Sequence, residues 1–293
     1  MLPGPYFSTV VLGGMTINDA GTEDQKKELL PRISEGQINV TLGLTEPSGR
    51  IDSLGIETTA TKTAEGYEIN GTKLFVLNGH VSDYILVVAR TGDQETDISI
   101  FNVPMDAEGV TQTLLKTIAS DRQSEVILDN VKVSSDSLLG ELNQGWDTIE
   151  RVLQWAAIGK CAEMSGGGQK VLDMTVEYAK QRTQFGRPIG SFQAIQHHCA
   201  NMAVDVEGSK FITHQAAWKL SEGLDADKDV AMAKAWVSEA LRRVCALGHQ
   251  SHGAIGFTKE HDMQLYSRRA KAAEVIFGDT DFHLEKVATH IGL

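Results

Sequence analysis

The hydrophobic period of this chain changes twice, and those changes limit what it can fold into. Up to about Gly36, apolar and small residues recur at helical spacing, over 8–18 and again in a short helix to Leu30 behind the cap Thr22-Glu-Asp-Gln25. From Ile38 to about Val133 the period is two. Ile38-Asn-Val-Thr-Leu-Gly-Leu44 and Tyr67-Glu-Ile69 alternate, 84–89 and 98–103 are short apolar runs, and 125–133 alternates again. Asn70-Gly71 reads as a hairpin turn, and Pro104 and Gly109 punctuate the later strands. From Gly140 helical spacing returns in four long stretches, 146–162, 167–181, 192–222 and 229–250, with a shorter helix from about His261. The expected class is α+β. A middle antiparallel β-domain of roughly six to eight strands, sandwich- or barrel-like, precedes a C-terminal four-helix bundle.

Composition excludes several functions. A net charge of −12 argues against nucleic acid as the main partner, since phosphate binding calls for clustered Lys and Arg. Cys161, Cys199 and Cys245 lie in helical patterns without metal-ligand spacing, so they read as small buried apolar residues. With no apolar run long enough to span a bilayer and no recognisable signal peptide, a cytoplasmic protein is expected. Gly166-Gly-Gly168 sits inside a helical run, which reads as close helix packing and fails the strand–loop–helix context of a dinucleotide loop.

Chemistry concentrates between Tyr178 and Met202. Val171, Leu172, Thr175, Tyr178, Ala179 and Arg182 share one helical face, and Gly186 with Pro188 should end that helix. Ser191 should cap the next, with Phe192, Ile195, Cys199 and Met202 as its buried stripe. Packing does not account for Arg182 and Phe185, a cation and a ring at a turn, which suit a phosphate- and ring-bearing cofactor.

The phrase Tyr178-Ala-Lys-Gln-Arg-Thr-Gln-Phe-Gly-Arg-Pro-Ile-Gly-Ser-Phe-Gln-Ala-Ile-Gln-His197 resembles the acyl-CoA dehydrogenase family of flavoproteins. So do Leu44-Thr-Glu-Pro-Ser48, Ile69-Asn-Gly-Thr-Lys-Leu-Phe75, Asn130-Val-Lys-Val133 and Gly253-Ala-Ile-Gly-Phe257, in the family's order over nearly the whole chain. The resemblance implies 1–37 as the end of an N-terminal helical domain, 38–137 as the flavin- and acyl-CoA-binding β-domain, and 138–293 as the bundle for FAD binding and oligomerisation. The family's other N-terminal helices are expected to be missing or supplied from elsewhere.

It also implies FAD held across a subunit interface. Arg182, Phe185, Gln250, Gly253 and Ala254 would receive the pyrophosphate and adenosine half of a partner subunit's cofactor. Thr45 and neighbouring amides would donate to the flavin ring, with Phe75 as aromatic platform. Leu77 stands where relatives carry a hydroxyl, which deletes a bond of about 0.5–1.5 kcal/mol. Only Asp52 survives of the family's Gly-Ala-Gly-Ser-Asp run after Pro47. His249 and His252 are spaced for a metal pair, but no third ligand is evident and no metal is expected.

The implied reaction is α,β-dehydrogenation of an acyl-CoA thioester, in which a carboxylate takes the α-proton while hydride leaves the β-carbon for flavin. Alignment on Arg269-Ala-Lys271 puts Phe277 where the family usually keeps that base, and counting back from Arg182 puts Ala156 at the alternative place. Glu150, Glu163, Glu274 and Asp279 are the nearby carboxylates; no catalytic residue is assigned. The implied partners are acyl-CoA, an electron-transfer flavoprotein or similar acceptor, and a homo- or hetero-oligomer, dimer or tetramer. The Arg-Ala-Lys…Phe-Gly-Asp ending resembles a branch acting on steroid side chains and bulky acids. The alternatives are a non-catalytic subunit of a heteromeric enzyme, or a binding protein that has lost FAD.

Overall fold

Small residues let the first helical segment lie against the sheet. In this computed structural model, which describes residues 4–293, Phe7–Gly14 form a π-helix in which a Cβ on Gly13 would come within 2.8 Å of Val40. α1 (Met15–Ala20) follows. α2 (Glu23–Ser34) starts on a reciprocal cap: Gln25 N donates to Thr22 Oγ1 (3.3 Å) and Thr22 N to Gln25 Oε1 (2.9 Å). It runs on past Leu30 to Ser34. The Gln25 amide also donates to the carbonyls of Asp136 and Leu138, at 3.0 and 2.8 Å, which ties α2 to the end of the sheet.

β1 (Val40–Gly43), β2 (Thr59–Lys62), β3 (Gly66–Leu77), β4 (Tyr84–Arg90), β5 (Ile98–Pro104), β6 (Val110–Leu115), β7 (Gln123–Ser134) and β8 (Leu138–Leu139) form one eight-stranded sheet. The order is β6-β7-β3-β2-β4-β5-β8, with β1 also beside β4. Pairing is antiparallel except at β4, along which β1 runs parallel and β2 touches in parallel at Thr59. Ile69, Val76, Ile85, Val87, Phe101 and Val126 centre its core. β6 has no counterpart in the sequence reading, because Thr111, Gln112, Thr113 and Leu114 are all exposed and give no alternation.

Asn70-Gly71 is not a hairpin turn. It lies inside β3, opposite a register shift at which Asn130 of β7 turns left-handed (φ 52°) and donates its N–H to Asn70 Oδ1 at 2.8 Å. Glycine is needed there for close approach, since a Cβ at Gly71 would meet Thr58 Oγ1 at 2.3 Å. The β2–β3 turn is instead made by Thr63 to Gly66, closed by Thr63 N donating to Gly66 O at 2.9 Å.

The chain divides into two compact units, one running to Leu153 and one spanning Gln154–Leu293, and the boundary falls within α3 (Gly145–Gln181). The stretches expected at 146–162 and 167–181 are this single helix. Gly168 keeps its helical place by packing, where a Cβ would sit 3.4 Å from Leu241 and Val206. β9 (Thr183–Gln184) and β10 (Arg187–Pro188) form a small hairpin before α4 (Gln193–Ser221) and α5 (Asp227–His252). α6 (Met263–Val275) and α7 (Thr280–His290) pack on α5. The bundle therefore has three long helices and two short ones, not four long ones. α5 carries the expected apolar stripe, with Val230, Ala233, Val237, Ala240, Leu241 and Val244 all buried.

Candidate cofactor site

Arg182 comes just after α3, its N–H still donating to Tyr178 O at 2.8 Å. Gly186 does not end that helix, which stops at Gln181. Phe185 (φ 54°) and Gly186 (φ 77°) are instead the corner of the β9–β10 hairpin, the left-handed pair that a two-residue hairpin requires. A bulky residue is rare in that conformation, and here it leaves the Phe185 ring 92% exposed. Ser191 does not cap α4. Its hydroxyl donates to Pro188 O at 2.7 Å, and Phe192 takes the N-cap place. Of the expected stripe only Met202 is buried, while Phe192, Ile195 and Cys199 are half-exposed.

That half-exposure has a structural reason. Phe192 and Ile195 help line a cleft of about 410 Å³, together with Tyr178, Arg182, Phe185 and Gln250. Gly253 and Ala254 complete it, so the expected bundle residues all converge on one opening. Gly253 turns the chain out of α5 at φ 65°. Arg187 lies over the Phe192 ring, 4.2 Å from its centroid, while Phe185 meets the same ring edge-on at 6.1 Å. The cleft thus presents a guanidinium, an amide and several ring faces, the groups suited to a pyrophosphate and an adenine.

Sequence reasoning treated Tyr178 as packing and passed over His252 as a lining residue. The signal for Tyr178 was its place one helical turn before Arg182. His252 stacks on Tyr178 at 4.5 Å, and its Nδ1 bonds Gly248 O at 2.8 Å. His249 stacks on Phe257 and bonds the Ser267 hydroxyl. Burial pushes both imidazoles below the usual histidine range, so both are neutral near pH 7. Among the described residues no group of three or more His, Cys, Asp or Glu is placed to hold a metal ion.

In the β-domain, Thr45 and Phe75 are brought together. Thr45 O accepts from Leu74 N at 2.8 Å, and the β3–β7 register shifts between Lys73 and Val76. Phe75 sits in that bulge with φ 55°, which projects its ring outward, 54% exposed. Leu77, two residues on, is buried, its carbonyl accepting from Thr41 Oγ1 at 2.7 Å. Asp52 is bound to its own loop, pairing with Arg50 at 2.6 Å and accepting from Gly55 N at 3.0 Å.

The nearby carboxylates all have local partners. Glu150 accepts from Trp146 Nε1 (3.0 Å), Glu163 pairs with Lys160 (2.7 Å), Glu274 with Lys271 (3.2 Å), and Asp279 caps α7 through Phe282 N (2.9 Å). Ala156 is fully buried in α3. Phe277, at φ 59°, lies in the α6–α7 turn, which two buried bases grip from below. Lys234 Nζ donates to Glu274 O and Gly278 O at 2.9 and 2.8 Å, and His283 Nε2 bonds Phe277 O at 2.9 Å. Burial pushes Lys234 down to about 8 and His283 to about 4.

A sheet domain bearing an outward aromatic and a helical bundle with a cation-and-ring cleft make this a protein of α+β class with the groups a nucleotide cofactor calls for. Residues 41–131 match the acyl-CoA dehydrogenase middle domain and 143–292 the acyl-CoA dehydrogenase C-terminal domain. The chain is 33% identical over 277 residues to a 3-(aryl)acrylate reductase of Clostridium sporogenes, covering 92% of this chain and 73% of that protein. It is 31% identical over 272 residues to the caffeyl-CoA reductase-Etf complex subunit CarC of Acetobacterium woodii, covering 91% and 72%. The structure of butyryl-CoA dehydrogenase from Megasphaera elsdenii superposes with a TM-score of 0.94 at 31% identity, over 97% of this chain and 76% of that one. The chain belongs to the acyl-CoA dehydrogenase family and is an FAD-dependent oxidoreductase of that kind.

Proposed function

We propose that this chain binds FAD between copies or partners and takes part in acyl-CoA oxidoreduction as a subunit that lacks its own base. The carrying observation is the convergence of Arg182, Phe185, Gln250, Gly253 and Ala254, taken from distant phrases, on one cleft. Its residues fit the adenosine and pyrophosphate half of FAD, and at about 410 Å³ it has room for part of a dinucleotide. FAD, when bound, supplies the hydride acceptor or donor. Arg182 would meet the pyrophosphate, Phe185 and Tyr178 the rings, and Thr45 and Phe75 the isoalloxazine. α4 also exposes Val204, Phe211 and Trp218 at seven-residue spacing, an apolar face that supports an oligomer, homomeric or heteromeric.

No helix among the described residues is long and apolar enough to cross a membrane; the cytoplasmic setting is a proposal from the sequence. An electron-transfer flavoprotein is the proposed acceptor, supported by the name of the Acetobacterium relative. The proposed acyl group is bulky, as on a steroid side chain or aryl acid. The Phe-Gly-Asp ending supports the first and the Clostridium relative the second. The test is Arg182→Ala, which removes a charge-assisted bond of about 1.5–3 kcal/mol. FAD should then dissociate at least tenfold more readily, read from the flavin-to-protein absorbance ratio after gel filtration. A monomer by light scattering that holds FAD stoichiometrically would sink the proposal.

A further inference from the structure

Glu46 and Lys73 are 2% and 0% exposed and pair at 2.5 Å inside the β-domain. The pair is anchored to the backbone on both sides. Lys73 Nζ also donates to Val88 O on β4 at 2.6 Å, and Glu46 Oε2 accepts from Glu57 N at 2.8 Å and Thr58 N at 3.0 Å. Taking two ions out of water offsets most of their attraction, and an apolar pair of the same volume would serve the core as well. What such a pair adds is fixed geometry.

Its chain neighbours show what is fixed. Thr45 immediately precedes Glu46, and Leu74-Phe75 immediately follow Lys73. Next to the ion pair, Leu74 N donates to Thr45 O at 2.8 Å, so loop and bulge are joined at two adjacent points. Phe75 holds its left-handed conformation in that bulge with no glycine to ease it. We infer that Glu46–Lys73 is a positioning couple, which fixes the spacing of Thr45 and Phe75 so that hydroxyl and ring meet the isoalloxazine as one rigid unit. The inference rests on the flavin reading above, and neither Glu46 nor Lys73 touches the cofactor in it.

The test compares wild type with Glu46→Gln/Lys73→Met, which removes both charges at similar volume and keeps an acceptor for the Thr58 amide. The readouts are melting temperature, FAD dissociation constant and the fine structure of the long-wavelength flavin band. The double variant should fold, bind FAD about tenfold more weakly, and show a band blurred toward that of free flavin. Val126→Ala, in the same core, should lower the melting temperature and leave the band unchanged; a band blurred equally there would overturn the inference. Should the double variant not accumulate folded, Glu46→Gln/Lys73→Leu, a second neutral pair of similar volume, should shift affinity and band in the same direction. Folded variants with wild-type affinity and band would overturn the positioning role while leaving the flavin reading intact. A wild type with no affinity for FAD would overturn both.

Discussion

Lys234→Met should change how the stability of the bundle depends on pH. Lys234 is fully buried, and its amine donates to backbone carbonyls at Glu274 and Gly278; among the described residues it has no carboxylate within ion-pair distance. Burial lowers its pKa from 10.5 to about 8, which corresponds to about 3 kcal/mol against the charged folded form. Between those two values the unfolded chain holds the proton and the folded chain does not. Unfolding then takes up a proton, so stability rises with pH through the window from about 8 to 10.5. Below about pH 8 both states are protonated and the penalty is present in full.

Methionine does not titrate, so the variant lacks this slope. Near pH 10.5 the neutral amine still donates two hydrogen bonds of about 0.5–1.5 kcal/mol each, and wild type should be the more stable protein. By pH 7 about 3 kcal/mol of that lead should be gone, which cancels or reverses it. Lys73, also lowered to about 8 by burial, is common to both proteins and drops out of the difference. Guanidinium unfolding followed by tryptophan fluorescence suits the measurement, because Trp155, Trp218 and Trp236 all lie in the bundle unit. Parallel stability curves across the window would refute the reasoning.

Phe277→Glu should speed anaerobic bleaching of bound flavin by acyl-CoA, by up to about 10²–10⁴-fold, whereas Glu163→Gln, which only breaks a surface pair with Lys160, should change it little. Rapid bleaching by the unmodified protein would contradict this. Gly71→Ala should destabilise the β-domain by about 1–3 kcal/mol, seen as a lower melting temperature, because the added methyl meets Thr58 Oγ1 at 2.3 Å. Thr22→Ala should cost about 1 kcal/mol by removing the cap of α2, with a matching fall in the same assay.

How much of this was legible depended on whether a feature is local. The Thr22/Gln25 cap, the α5 stripe and the sheet-then-bundle order follow from spacing alone, and the structure reproduces them. Asn70-Gly71 misled because the dipeptide reports a local conformational allowance. Whether it is used in a turn or in a bulge is decided by Thr58 and Asn130, remote in sequence. The glycines at 166–168 were legible as close helix packing, which Gly168 shows against Leu241 and Val206, but the unbroken run of α3 from Gly145 to Gln181 was not. At the cleft the residue types were legible but not their mounting. Nothing in Gln184-Phe185-Gly186-Arg187 distinguishes a helix end from a hairpin corner until Thr183 pairs with Pro188.

No catalytic base is assigned, and the four carboxylates near the expected positions are each engaged locally. A general base needs an unpaired carboxylate with a raised pKa that can reach the proton. Glu163 is exposed on the surface with Lys160, Glu150 receives an indole N–H, Glu274 is held by Lys271, and Asp279 is committed to the start of α7. At the α6–α7 turn, buried Lys234 and His283 hold the backbone carbonyls while Phe277 keeps a left-handed φ of 59°. A turn held by three carbonyl contacts from two buried bases is a rigid mount, and this chain mounts a hydrocarbon on it. If the mount keeps its family role, Phe277 cannot take the proton itself, and that is the observation behind the proposal of a partner subunit.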